Sequence, residues 1–197
     1  MTDASLPFDT SYLDKLAEVV VSTGLNLSPG QDVVVTASAE ALPLVRRVAE
    51  IAYARGAGLV VPLLSDEVVN RARYRFGTDE SFDAAPGWLY EGMAKAYENN
   101  AARLHIAADN PMALSEEDPA KIGRAAKANA AAYQPALKKI AGFEINWSIA
   151  AYPGRAWAQA VFPDLSADAA QAKLAEAIFA ASRVDQPDPV AAWAAHN

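Results

Sequence analysis

Four short apolar runs, separated by stretches with helical periodicity, constrain this chain more than any other feature. The first, Asp32-Val-Val-Val-Thr36, is β-branched through its centre and reads as a strand buried on both faces. Leu59-Val-Val-Pro-Leu-Leu64, Arg103-Leu-His-Ile-Ala-Ala108 and Phe143-Glu-Ile-Asn-Trp-Ser-Ile-Ala150 follow as three more strands. Pro62 has no N–H to give to a ladder, which puts the second strand at an edge or an irregularity.

The intervening segments read as helices. Ser11-Tyr-Leu-Asp14 has the form of a capping box, and Leu13, Leu16, Ala17, Val20 and Val21 continue it at helical spacing. Gly24 is expected to close that helix in a left-handed conformation. Ser38 is the expected cap of a helix carrying Leu42, Val45, Ala49, Ala52 and Tyr53, which stops at Gly56 or Gly58. Further helices are predicted over 66–76, 86–99, 119–139 and 166–182, with Pro135 kinking or ending the third of these. Asp188-Pro189 supplies a cap and first residue for a helix that begins at Val190, only a few residues before Asn197. So short a helix buries little, and the expectation is a sequence cut from a longer protein, the alternative being a frayed natural terminus.

Strands alternating with helices call for a parallel sheet covered on both faces. The predicted class is α/β: a three-layer, open, mainly parallel sheet flanked by helices, Rossmann-like in topology but without a glycine-rich nucleotide loop. A length of 197 residues suits one such domain. The expected division is an α/β domain over 1–183 and, over 184–197, the start of a connection leading out of it. The net charge of −7 and the absence of any basic run longer than a pair argue against a nucleic-acid partner. There is no cysteine, so disulfides, thiolate metal sites and cysteine nucleophiles are excluded together. No apolar run approaches the roughly 18 residues that span a bilayer. The N-terminus lacks the basic flank and apolar core of a signal peptide. A cytoplasmic protein without a membrane partner is expected.

Catalytic signatures are sparse. Only two histidines are present, and no H-E-x-x-H pairs them for zinc. His105, in mid-strand between Leu104 and Ile106, reads as a satisfied core or helix-facing side chain. Glu116-Glu117-Asp118, ahead of Pro119, reads as compensation of a helix dipole. The turn Thr36-Ala-Ser-Ala-Glu-Ala41 has no glycine, so a pyrophosphate has no cradle there. G-x-x-x-x-G-K-[ST] and G-x-S-x-G are both absent. In an open α/β sheet, ligands sit beyond the carboxyl ends of the strands. The residues predicted at that edge are Ser38, Glu40, Ser65, Asp66, Asp109, Asn110, Tyr152 and Arg155.

The stretches LDKLAEVVVSTGLNLSPGQDVVVTASAEALPLVRRVAEIAYARGAG, LVVPLLSDEVVNRARY, NWSIAAYPGRAWAQAVFPD and RVDQPDPVAAWAAHN resemble, in that order, the N-terminal domain of the M29 metallo-aminopeptidases. The most specific pieces are L-x-P-G-Q, N-W-x-I-x-x-Y-P…W-A and D-P-V-x-x-W-x-x-H. The resemblance implies a hydrolase that removes N-terminal residues from peptides with two divalent metals, zinc or cobalt. It also implies metal ligands in a C-terminal catalytic domain beyond this sequence, peptide substrates, and a homodimer. No catalytic residue or metal ligand transfers onto this chain, and His196 is not assigned as one. The chain alone is expected to be inactive, its role being to wall the cleft, limit access to peptide ends and support the dimer. The alternative is a free-standing α/β small-molecule-binding or interaction module without catalysis.

Within NWSIAAYPGRAWAQAVFPD, Trp147, Ile149 and Ala151 share one face of the last strand and Ser148 and Ala150 the other. Pro153-Gly154 turns the chain, and Trp157 opens a short helix. Tyr152, Arg155 and Trp157, with Asp109 and Asn110, are the residues predicted to line an inter-domain seam or substrate cleft. At least one of the first three should then be exposed.

Overall fold

A computed structural model describes residues 6–196. Met1–Ser5 and Asn197, which fall in the two predicted units, lie outside the described residues. Strands β1 (Val33–Ser38), β2 (Val60–Ser65), β3 (Ala102–Ala107) and β4 (Trp147–Ala151) form one sheet in the order β2-β1-β3-β4. All three pairings are parallel. The fold is the expected open three-layer α/β arrangement, and Pro62 does lie on an edge strand.

Strand register sorts the side chains onto two faces. Val33, Val35 and Ala37 align with Ala102, Leu104 and Ile106, and the last two with Ser148 and Ala150. That face packs beneath α1 (Ser11–Val19), α2 (Leu42–Ala54) and α7 (Ala167–Ala181), forming the larger core. Leu13, Leu16, Leu44, Leu174, Ile178 and Phe179 fill it. The Tyr12 ring stacks on Phe179 with centroids 5.1 Å apart, so the first and seventh helices meet directly. The opposite face, with Val34, Thr36, Arg103, His105 and Trp147, lies under α4 (Gly87–Glu98) and α5 (Pro119–Ala141). Met93, Ala94, Tyr97, Ala136 and Ile140 form the smaller core there.

Several local expectations are corrected. Ser11 is not a cap: Thr10 holds that position without a side-chain bond, and the Asp9 carboxylate accepts the Ser11 N–H at 2.9 Å. Gly24 does not turn left-handed, because α1 widens into a π-helical turn over Val20–Gly24 and the positive φ falls at Asn26, at 46°. Gly24 instead gives β4 close approach, since a Cβ there would lie 2.7 Å from the Ser148 hydroxyl, which would have to turn aside. Ser38 makes no cap bond; a 3-10 turn over Ala39–Ala41 intervenes before α2. Pro135 sits inside α5 and does not end it. The fourth strand starts four residues later than its apolar pattern, because Phe143 takes φ 53° in the turn leaving α5.

At the amino ends of the strands, Gln31 and Asn146 form a polar clasp. Gln31 Nε2 donates to the Asn100 carbonyl at 2.8 Å and to Asn146 Oδ1 at 2.6 Å. Asn146 Nδ2 donates in turn to the Leu25 carbonyl at 2.6 Å and to Gln31 Oε1 at 3.1 Å. These two amides tie together the segments that lead into β1, β3 and β4. The chain's last helix, α8 (Pro189–Ala194), is capped by Asp188 as expected. Trp193 holds it to the body by donating from Nε1 to the Ser182 carbonyl at 2.9 Å.

Candidate functional site

The sheet's strand order reverses direction between β1 and β3, and loops leaving these two strands diverge at their carboxyl ends. The crevice left there has a volume of about 310 Å³ and is lined by Ser38, Glu40, Asp66, Glu67, Asp109 and Asn110, among others. Five of these six lie in the set predicted from strand ends; Glu67 is the addition. It escapes sequence reading because it falls in the first turn of α3 (Glu67–Phe76), where an acid is already explained by the helix dipole.

Four of the wall residues are held by ordinary local chemistry. Asp66 caps α3, accepting the Val69 N–H at 2.9 Å. Asn110 Oδ1 accepts the Met112 N–H at 2.9 Å, and its Nδ2 donates to Glu67 Oε1 at 3.2 Å. Glu67 also pairs with Arg71 one turn along. Glu40, on the 3-10 turn after β1, accepts the backbone N–H of Arg155. Protein packed around the Glu40 carboxylate raises its pKa, the Arg155 N–H and side chain oppose the rise, and Glu67 adds to it. The Ser38 hydroxyl is buried beside Glu40 with no partner among the described residues. The crevice therefore presents carboxylates and no cationic side chain among its lining groups, a surface suited to a positively charged group.

The three residues of the aromatic corner separate. Tyr152 is 1% exposed and meets the Phe8 ring edge-on at 6.4 Å, inside the larger core. Trp157 is half-buried against that core from α6 (Arg155–Val161). Arg155 is exposed, its guanidinium paired with Asp168 at 2.6 Å in the first turn of α7. Arg155 meets the crevice wall through its backbone N–H, which Glu40 accepts. The bend itself depends on Gly154, where a Cβ would sit 2.2 Å from the Ala108 carbonyl. Buried Gln171 donates to the Pro153 carbonyl at 2.9 Å and fixes the same bend.

His105 lies away from this crevice, on the α4–α5 side of the sheet. The Thr36 hydroxyl donates to the Leu104 carbonyl at 3.4 Å and stands 3.0 Å from His105 Nδ1, where the imidazole tautomer sets which group donates. Burial lowers the His105 pKa, and Arg103 lowers it further, while Asp109 and Thr36 pull the other way. Among the described residues no group of three or more His, Asp or Glu side chains is arranged to hold a metal ion. None of their helices is long and apolar enough to cross a membrane.

The profile of the thermophilic metalloprotease (M29) family matches residues 9–197. The chain is 49% identical over 185 residues to aminopeptidase T of Thermus thermophilus, covering 94% of this chain and 45% of that protein. It is 41% identical to aminopeptidase 2 of Geobacillus stearothermophilus, again over 94% of this chain and 45% of the relative. The solved structure of wild-type AmpT from Thermus thermophilus superimposes with a TM-score of 0.88 at 46% identity, over 94% of this chain and 45% of that one. The chain thus spans under half the length of these relatives. With one profile running along nearly all of it and a close structural match besides, it belongs to the M29 family of thermophilic metalloproteases.

Proposed function

We propose that this chain is the N-terminal α/β domain of a metal-dependent aminopeptidase that removes N-terminal residues from peptides. The observation that carries the reading is the match to relatives named aminopeptidases across 94% of this chain but only 45% of theirs. In this reading residues 1–183 form the domain and 184–197 lead towards a catalytic domain. Two divalent ions, zinc or cobalt, complete the enzyme. The donor set described here does not fit them, since no three His, Asp or Glu side chains converge, and their ligands belong to the other part of the protein.

What this chain contributes is a wall and a charge. Glu40, Glu67 and Asp109 give the crevice a negative potential that favours the ammonium end of a peptide over its carboxylate end. The domain also supports a homodimer, and the enzyme works in the cytoplasm. Residues 1–197 assayed alone with added cobalt or zinc are expected to release no amino acid from dipeptide amides. The same sequence joined to the remaining part of an M29 relative should restore release. Turnover by residues 1–197 alone, or no turnover by the joined protein despite folding, would refute the assignment.

A further inference from the structure

The face of the sheet opposite the larger core carries a second cavity, of about 430 Å³, between the strands and helices α4 and α5. That volume falls in the range of small-molecule sites. Its walls are mostly apolar and aromatic: Leu63 from β2, Leu89, Tyr90 and Met93 from α4, and Tyr133 from α5. The Tyr90 and Tyr133 rings lie 5.4 Å apart at a 59° tilt, forming one corner. Two polar side chains of β3 reach the cavity from the same side of the strand, Arg103 and His105, because residues two apart share a face.

Arg103 is the unexplained member. Its Nε is buried with no hydrogen-bond partner, and no carboxylate among the described residues forms an ion pair with it. Asp109 is the cavity's one acidic lining residue, and it is exposed, six residues further along the chain. A buried guanidinium N–H left open is costly and is relieved by an oxyanion, which the planar fork accepts in bidentate fashion. An apolar chamber around an unsatisfied cation is complementary to an organic anion, and its aromatic walls favour a ring-sized body over a bare inorganic ion.

We infer that this cavity binds a small monocarboxylate with an apolar body, its carboxylate taken by Arg103 and its body held by Leu63, Leu89, Tyr90 and Tyr133. Such a ligand would lie beside the acidic crevice, because Ser65 and Asp109 line both. The site needs no catalytic partner, and its test is independent of peptidase activity.

The test titrates the whole 197-residue chain with 3-phenylpropanoate and, separately, with the uncharged 3-phenylpropanamide, by calorimetry. The acid should bind saturably at one site, with the amide weaker by about tenfold or more, the scale of a charge-assisted hydrogen bond. Arg103→Met should weaken the acid by a similar factor and leave the amide unchanged. Because that variant alters a half-buried position, the wild-type chain supplies a second readout. The Arg103 Nε–H resonance should shift and slow its exchange with water on adding the acid, and do neither with the amide. Equal binding of acid and amide, no saturable binding of the acid, or an Arg103 resonance indifferent to it would overturn the proposal.

Discussion

Gly154 carries the bend between β4 and α6 because nothing larger fits: a Cβ would fall 2.2 Å from a backbone oxygen that cannot rotate away. Gly154→Ala should cost about 1–3 kcal/mol of stability, the range for forced overpacking. Gly92 makes the contrast, since it sits on the solvent side of α4 with nothing within 4 Å of a Cβ. Gly92→Ala should stabilise the chain by up to about 1 kcal/mol. Urea unfolding of the two variants checks the pair, and a harmless Gly154→Ala would remove the bend's steric account. Glu40 gives the pH-dependent counterpart. Its pKa is raised above the ordinary 4.5, chiefly by burial, so the folded state holds that proton more tightly than the unfolded chain does. The associated stability is full below the ordinary value and is lost as pH rises through the raised one. Glu40→Gln keeps an oxygen for the Arg155 N–H while remaining neutral. The variant should match the parent in acid and exceed it at neutral pH, read as urea midpoints across that interval. A gain that is constant with pH would exclude the ionisation as its cause.

At the scale of elements, α3 is the exception. It buries no residue, and Val68 and Phe76 are 74% and 86% exposed. Polar contacts hold it in place: Arg71 donates to the Ala113 carbonyl at 3.1 Å, Arg73 to Ala84 at 2.8 Å, and Arg75 to Glu117 at 3.0 Å. Tyr74 stacks on Phe82 with centroids 5.6 Å apart. Replacing Val68 and Phe76 together by lysine should therefore move stability by no more than about 0.5 kcal/mol per site. The same change should reduce self-association at high concentration, measured by sedimentation. A loss of several kcal/mol would mean that α3 is packed. The helix was legible in the sequence because Asp66 is a strong cap and the period is helical. Its lack of burial was not, because an amphipathic pattern records an apolar stripe and is silent on what meets it. Boundaries failed for related reasons. Ser38 has the chemistry of a cap, but its side chain turns into the protein beside Glu40, and Asn26 took the left-handed turn assigned to Gly24.

For the molecule as a whole, the β-branched runs and their separation were enough to specify a parallel sheet, and Pro62 marked one of its edges. The acidic crevice was half visible, because strand ends can be located from sequence while the acids that converge there depend on strand order. The Arg103 cavity carried one signal that went unused, the two-residue spacing of Arg103 and His105 within a strand. The segments that support the family resemblance have a physical role too. Gln31, of the L-x-P-G-Q piece, and Asn146, of the N-W piece, are the two halves of the clasp beneath the sheet.

The contact of Tyr12 with Phe179 has a consequence in time. The seventh helix is synthesised long after the first, with about 170 residues between these rings. At roughly 5–20 residues per second, the interval between their appearances is on the order of 10–30 s. During it, the apolar stripe of Leu13, Leu16 and Ala17 has α2 on one flank and no cover on the other. The nascent chain thus carries its earliest hydrophobic surface through about 170 residues of elongation before the partner that covers it appears.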